Sequence, residues 1–242
     1  MAPLAPADTA ETRPPDVDPA FPPTRLIVVD DHPAVRSSLR RLLADEEDLE
    51  VVDVLPSADM ALAIAERESI DVAVVDYQLG GRHNGLWLSR KLKRLPHPPK
   101  VLVYSAYCDA LLAAAAVVAQ ADGVVSKAGM GSKLCHAIRT VPRRQLALPV
   151  ASRQLEQAIR SRLSEEEQII FGMLLNGIEL DEVAAVLDYS QARLEARLST
   201  MLSKLEDVPF ADAGADRTRT KGHSRGLLVA RFEPQRLARA SS

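Results

Sequence analysis

Between residues 25 and 141 the chain alternates short apolar runs with longer stretches in which apolar residues recur every three or four positions. The short runs predict buried β-strands, and the longer stretches predict amphipathic helices. The five predicted strands are Leu26–Val29, Val51–Leu55, Val72–Val75, Val101–Tyr104 and Val124–Val125. Because strands and helices alternate, we expect a doubly wound parallel sheet with helices on both faces.

A second pattern begins at Leu163, where three stretches of helical periodicity follow one another without strands. These predicted helices span residues 165–176, 180–187 and 191–205. Each is preceded by a polar, cap-like residue: Ser164, Glu179 and Ser190. Gly177 is placed to end the first helix with a left-handed turn. We therefore predict a small all-α domain over residues 163–206.

Three other segments lack such periodicity. Residues 1–24 contain seven of the sixteen prolines, and residues 207–242 are rich in Gly, Ala and Arg. Both ends are predicted to be disordered, because neither buries enough apolar area to offset the entropy of ordering. Between the two domains, residues 142–162 form a linker in which prolines precede a short helix at 151–162.

Composition limits the compartments and partners that we expect for this chain. Thirty basic and 33 acidic residues give a net charge of −3, so any surface that binds DNA has to be local. No apolar run approaches the roughly 18 residues that span a bilayer. The two cysteines, Cys108 and Cys135, are too few for a disulfide framework. A cytoplasmic protein with reduced thiols and no membrane partner is predicted.

The chemically active side chains of the first domain cluster at strand ends. They are Asp30 and Asp31 after the first strand, Asp76 after the third, Ser105 after the fourth and Lys127 after the fifth. The carboxyl ends of parallel strands border the ligand crevice, so these groups are expected to meet. Three carboxylates repel one another unless a cation neutralises them, and their oxygens suit Mg²⁺. A lone aspartate at a strand end is more often a turn former, so the prediction depends on the whole set.

These groups suit phosphoryl transfer. A lysine and a hydroxyl can hold the oxygens of a transferred phosphoryl group, with Asp76 as the nucleophile that forms an acyl phosphate. The first domain also resembles the receiver domain of two-component response regulators. The motifs that carry the likeness are V-V-D-D-H-P at 28–33, V-V-D-Y-Q-L at 74–79, V-L-V-Y-S-A at 101–106 and A-D-G-V-V-S-K at 121–127.

The resemblance implies a flavodoxin-like fold, a sensor histidine kinase as partner and a role for each site residue. Asp76 is the implied phosphoacceptor, and Ser105 and Lys127 contact the phosphoryl group. The implied Mg²⁺ ligands are Asp30, Asp31, Asp76 and the backbone carbonyl of Gln78. Two departures stand out: Val124 replaces an aromatic residue common in this family, and residues 79–82 lack the usual proline. Phosphorylation is therefore expected to be coupled differently to output.

The second domain is similar to the LuxR-type helix-turn-helix output domain of the NarL group, which implies DNA binding and a homodimer. The residues that carry this likeness are Leu163, Ser164, Glu167, Leu174, Gly177, Val183, Ala184, Leu187, Ser190, Leu194, Lys204 and Leu205. In this motif the second helix, here 191–205, enters the major groove. The candidate DNA-binding residues are Gln191, Arg193, Leu194, Glu195, Arg197 and Lys204.

Charge leaves the output open. Residues 163–206 contain nine acidic and three basic residues, 3 − 9 = −6, and Glu195 stands where the family commonly has a lysine. The first hypothesis is a response regulator that controls transcription through its helix-turn-helix. The second is a signalling protein whose acidic output domain binds a protein partner or dimerises without reading DNA. Seven cationic residues between 217 and 239 favour the first by offering phosphate contacts. A stand-alone enzyme has little support.

Overall fold

The computed structural model describes residues 22–80, 83–129, 131–141 and 152–206. The predictions made for the first 21 residues, for the prolines of the linker and for the basic tail lie outside the described residues. Within the described ranges, no helix is both long and apolar enough to cross a bilayer. Cys108 and Cys135 are not joined by a disulfide.

The first domain is built on a five-stranded, all-parallel sheet. Its strands are β1 (Thr24–Val29), β2 (Leu49–Leu55), β3 (Val72–Asp76), β4 (Lys100–Ser105) and β5 (Gly123–Ser126). Their spatial order is β2-β1-β3-β4-β5, so the chain winds first to one side of β1 and then to the other. The predicted doubly wound α/β fold is therefore confirmed.

Helices cover both faces of this sheet because successive strand residues point to opposite sides. They are α1 (Pro33–Ala44), α2 (Ala58–Ala65), α3 (Gly85–Leu92), α4 (Ala110–Val118) and α5 (Gly131–Thr140). Leu26 and Val28 of β1 lie in a hydrophobic cluster with α1 and α5. Ile27 and Val29 lie in a second cluster with α2, α3 and α4. Both faces of the sheet are therefore apolar and covered by helices.

Four further helices follow: α6 (Ser152–Arg162), α7 (Glu165–Leu175), α8 (Leu180–Val186) and α9 (Gln191–Glu206). Helix α7 begins with a capping box between Ser164 and Glu167, which satisfies two free backbone N–H groups. It ends before Gly177, whose φ of 75° gives the predicted left-handed turn. The Ser190 hydroxyl accepts a hydrogen bond from the Arg193 N–H, whereas Glu179 makes no side-chain cap.

Helix α4 joins the two domains. It contains four consecutive buried alanines, Ala113 to Ala116, each at most 2% exposed. Since successive helix residues turn by about 100°, four in a row face every direction around the axis. The sheet covers one side of α4, and α6, α7 and α9 pack on the rest. The output helices and this face of the sheet thus share one hydrophobic cluster.

Candidate functional site

Two carboxylates and one ammonium group meet at the carboxyl edge of the sheet. Asp30 follows β1, Asp76 ends β3 and Lys127 follows β5. The Nζ of Lys127 lies 2.7 Å from Oδ2 of Asp30 and 2.8 Å from Oδ2 of Asp76. Asp30 and Asp76 are only 1% and 4% exposed. The lysine therefore neutralises part of the negative charge that would otherwise oppose the burial of both carboxylates.

The third carboxylate, Asp31, is held by the loop that follows β3. Its Oδ2 accepts a hydrogen bond of 2.9 Å from the backbone N–H of Gly80. Its Oδ1 is buried and has no hydrogen-bond partner among the described residues, with Nδ1 of His32 at 2.7 Å. The His32 backbone N–H donates to Oδ1 of Asp30. One oxygen of Asp31 thus remains available to a cation.

The donor set fits a hard divalent cation. Asp30, Asp31, His32 and Asp76 can each offer a ligand atom within 4.8 Å of all the others. Three of these donors are carboxylates, which Mg²⁺ and Ca²⁺ prefer. The buried Oδ1 of Asp31 lies near Nδ1 of His32 but accepts no hydrogen bond among the described residues, so it would gain most from such an ion.

The predicted phosphoryl-contacting residues lie at the same edge. Ser105, at the end of β4, is buried, and its hydroxyl accepts a hydrogen bond from the Tyr107 N–H. The backbone N–H of Lys127 donates to the Ser105 carbonyl at 2.7 Å. The Gln78 N–H donates to Oδ1 of Asp76 at 3.2 Å. These bonds fix the ends of β4 and β5 to each other and hold the loop after β3 against Asp76.

Burial and charge oppose each other in this pocket. Burial raises the pKa of Asp76, and the hydrogen bond and charge of Lys127 offset that rise only in part. Burial alone would lower the pKa of Lys127, but its hydrogen bonds to Asp76 and Asp30 more than compensate, and the pKa is raised. The ammonium therefore stays charged across the physiological range, which electrostatic stabilisation of phosphoryl oxygens requires.

One further residue at this edge is Tyr104, which the sequence analysis placed in a strand without assigning it a role. It is the register partner of Asp76 on the neighbouring strand. The Nζ of Lys127 lies 5.5 Å from the centre of its ring. The strand alternation contained a signal, because Tyr104 shares the parity of Leu102 and so faces the same side of the sheet as Asp76.

The candidate DNA-binding residues on α9 are mostly engaged within the protein. Leu194 is fully buried in the core and so does not reach a base edge, which corrects its inclusion in this set. Arg197 pairs with Glu166, and Lys204 pairs with the buried carboxylate of Glu167. Gln191 donates to Asp181, and the Arg193 guanidinium lies 3.9 Å from the Tyr189 ring centre.

Glu195 faces the first domain. Its carboxylate forms ion pairs with Arg90 on α3 and with Arg94 just beyond that helix. Arg90 also donates to the Ser199 hydroxyl at 3.1 Å. The sequence analysis listed Glu195 as a candidate DNA-binding residue, at a position where the family commonly has a lysine, and missed these partners. The available signal was the spacing of Arg90 and Arg94, four residues apart, which puts two cations on the same side of one helical segment.

Known proteins resemble both parts of the chain. Residues 26–139 match the family model described as a response regulator receiver domain. The response regulator UvrY of Escherichia coli is 27% identical over 190 residues, covering 74% of this chain and 87% of UvrY.

Two solved structures are similar in fold. A LuxR-family two-component response regulator from Aurantimonas has 26% identity and a TM-score of 0.51, covering 56% of this chain and 96% of its own. A structure of the RcsB response regulator of Salmonella typhimurium, concerned with its DNA interaction, has 22% identity and a TM-score of 0.51. It covers 77% of this chain and 93% of its own.

The family match falls on the domain that holds the acidic pocket, and the likeness to UvrY extends beyond that domain. The sheet order and the helices that follow it agree with the same type of protein. Residues 26–139 therefore form a response regulator receiver domain, and the chain as a whole is similar to two-component response regulators such as UvrY.

Proposed function

We propose that a sensor histidine kinase phosphorylates this protein on Asp76 in the cytoplasm. The observation that carries the proposal is the position of the Lys127 ammonium, within 2.8 Å of both Asp30 and Asp76. A carboxylate oxygen of Asp76 attacks the phosphorus of the donor phosphohistidine, the P–N bond breaks and an acyl phosphate forms. The proton needed by the leaving imidazole comes from the kinase or solvent.

The surrounding residues favour this transfer by position and charge. Lys127 would move from the Asp76 carboxylate to a phosphoryl oxygen, and the Ser105 hydroxyl would donate to another. A Mg²⁺ ion held by Asp30, Asp31, Asp76 and the Gln78 carbonyl would neutralise charge on the phosphoryl oxygens. The Gly80 N–H keeps Asp31 oriented toward that site.

Labelling tests the acceptor. Wild type and Asp76→Asn are incubated with Mg²⁺ and acetyl phosphate, and base-labile phosphoprotein is measured on a phosphate-affinity gel. We expect label on wild type and a loss of at least about a hundredfold in Asp76→Asn, because an amide is not a nucleophile. Asp59→Asn, an exposed position on α2, is the matched control and should label like wild type. Equal labelling of Asp76→Asn would contradict the assignment.

For output, we propose that α7–α9 bind double-stranded DNA as a dimer and control transcription. The order of the helices supports this proposal. RcsB, which has a similar fold, was studied for its interaction with DNA, and this also supports it. In the arrangement described above, Glu195 and Ser199 of α9 are occupied by Arg90 of the receiver. DNA binding through this helix therefore requires the two domains to separate.

Duplex binding at several salt concentrations tests this output. Glu195→Lys removes the contacts to the receiver and adds a cation to α9, so we expect tighter binding and a steeper salt dependence, by about one phosphate contact. Glu182→Lys makes the same charge change at an exposed position of α8 and is the control. Equal gains in both variants would indicate a general charge effect and would count against DNA reading by α9.

A second candidate output is a protein partner bound by the acidic helical domain. Its support is that two of the three cations on α9 are paired with Glu166 and Glu167 of α7 and the third lies over Tyr189. If neither wild type nor Glu195→Lys binds any duplex at low salt, with or without phosphorylation, this second output is favoured.

A further inference from the structure

We propose that Tyr104 is a positioning residue: its ring confines the Lys127 ammonium beside Asp76 and thereby lengthens the lifetime of the phosphorylated state. The inference rests on the proposed phosphorylation of Asp76. It concerns a strand residue whose bulky aromatic side chain stands directly beside the acceptor.

Strand geometry places Tyr104 next to the reacting group. It is paired in register with Asp76 on one side and with Val125 on the other. Paired residues of parallel strands project to the same face, which here is the face of α1 and α5. Lys127 lies two residues beyond Val125, so its side chain returns to that face and reaches the Tyr104 ring.

The charged groups of the pocket affect the pKa of the Tyr104 hydroxyl. Burial raises the pKa of Tyr104, and the charges of Lys127, Asp30 and Asp76 all act on it. A cation within about 6 Å of an aromatic ring centre is attracted by the ring, typically by about 0.5–1 kcal/mol at exposed sites. With its Nζ 5.5 Å from the ring centre, Lys127 is held by two carboxylates and by this ring.

Phosphorylation alters this balance. Once one oxygen of Asp76 is phosphorylated, Lys127 loses part of its ion pair with that carboxylate. It is then retained mainly by Asp30, the phosphoryl oxygens and Tyr104. Hydrolysis then requires water to attack phosphorus, the P–O bond to Asp76 to break, and the proton of the water to pass to phosphate or solvent. A bulky ring beside the acceptor leaves less room for that water and keeps the ammonium in place.

Val124 does not supply this contact. It lies in the cluster with α2, α3 and α4, on the opposite face of the sheet from Tyr104. The aromatic contact to Lys127 therefore comes from β4 and not from β5.

Three variants separate the ring from the hydroxyl and from bulk. Tyr104→Phe keeps the ring, whereas Tyr104→Leu and Tyr104→Met remove it and keep an apolar side chain. Each full-length protein is labelled with acetyl phosphate and Mg²⁺, the donor is removed, and the half-life of base-labile phosphoprotein is measured. We expect the Leu and Met variants to lose phosphate about two- to fivefold faster, the rate equivalent of the cation–ring attraction. Tyr104→Phe should keep the wild-type half-life.

The outcomes are distinguishable. Wild-type half-lives in the Leu and Met variants overturn the role of Tyr104 while leaving the phosphorylation of Asp76 intact. A Phe variant as short-lived as Leu assigns the effect to the hydroxyl and overturns the role of the ring. Absence of label on wild type overturns the proposed phosphorylation and this inference with it. If Tyr104→Leu does not fold, as judged by thermal unfolding, the comparison of Met with Phe decides.

Discussion

The chemistry of single residues in the pocket depends on which carboxylate oxygens already have partners. Asp30 and Asp76 share Lys127, whereas Asp31 accepts a backbone N–H from Gly80 and lies beside Nδ1 of His32. A Cβ added at Gly80 would lie 2.7 Å from Oδ2 of Asp31, closer than real Cβ contacts allow. The glycine therefore sets the orientation of a proposed metal ligand.

Replacing this glycine should weaken cation binding. Gly80→Ala is expected to raise the Kd for Mg²⁺ by about tenfold, the lower end of the usual effect of disturbing the partner of a metal ligand. The fluorescence of Trp87, the one tryptophan, provides the titration signal. Gly172→Ala is the matched control, since an added Cβ there meets no atom within 4 Å. An unchanged Mg²⁺ affinity in Gly80→Ala would show that the loop adjusts without consequence for Asp31.

A second residue-scale prediction concerns pH. Burial raises the pKa of Asp76 above its ordinary value of 3.8. Between pH 3.8 and that raised pKa, the folded state therefore binds more protons than the unfolded state. The contribution of Asp76 to stability is full below pH 3.8 and is lost as pH rises through the raised pKa. Asp76→Asn should therefore be more stable than wild type at neutral pH without metal, and this advantage should shrink as the pH falls toward 3.8.

Urea unfolding across pH in the presence of a chelator measures this difference. Asp48→Asn is a control of opposite sign, because a hydrogen bond from Arg139 lowers the pKa of Asp48. That variant should be less stable than wild type at neutral pH, and the deficit should shrink as the pH falls through the lowered pKa. An Asp76→Asn protein that is less stable than wild type at pH 7 would mean that the Lys127 ion pair outweighs burial.

The sequence predicted the members of this pocket but not all of their partners. Strand ends and residue types sufficed for Asp76 and Lys127, because parallel strands bring their carboxyl ends to one edge. The bond from Gly80 to Asp31 depends on a loop conformation that no periodic pattern encodes. Leu194 was assigned to DNA by its place in a motif, whereas its apolar side chain packs in the core.

Among the secondary-structure elements, α4 departs most from an ordinary surface helix. Its residues are apolar on every side, and a helix of that kind must be buried all round. An amphipathic α4 would accept a charge on its outer face. Here the output helices pack on that face, so α4 is buried between them and the sheet.

A lysine scan of four positions tests this burial. Ala113→Lys, Ala114→Lys, Ala115→Lys and Ala116→Lys should each destabilise the protein by at least about 3 kcal/mol, because every direction around the axis is enclosed and a buried, unpaired ammonium is costly. Ala196→Lys, at an exposed position of α9, should change stability by less than about 0.5 kcal/mol. Thermal or urea unfolding gives the values; one tolerated lysine within the four would reveal an open face.

The boundaries of the strands and of the helices after residue 150 were predicted to within one or two residues. The strands extend one or two residues beyond their apolar runs, as β2 does from Leu49, because ladder hydrogen bonds continue into polar residues. The composition of α4 was visible in the sequence, but its covering partners lie up to about ninety residues away. Such long-range packing leaves no local signal apart from the absence of a polar face.

For the whole molecule, the contact between receiver and output helices includes Glu195 and Ser199 of α9. Glu195→Gln removes the charge that pairs with Arg90 and Arg94. Because these are partly exposed ion pairs, about 1 kcal/mol is expected, which makes separated domains about fivefold more populated. Hydrogen exchange of the α4 amides should accelerate by that factor. Glu182→Gln, at an exposed position of α8, should leave exchange unchanged; acceleration in both variants would exclude a specific role for Glu195.

The continuous packing around α4 also limits how this protein can be recombined. Two-domain proteins of this kind can be engineered as chimeras, in which one input domain is joined at the linker to another output domain. A junction at residue 142 would leave the apolar outer side of α4 facing a foreign output domain. We expect such a chimera to aggregate, because a large exposed apolar surface favours association. A working exchange would have to carry α4 together with α6–α9, or redesign its outer face. The unit to be exchanged in engineering this chain is therefore larger than either domain.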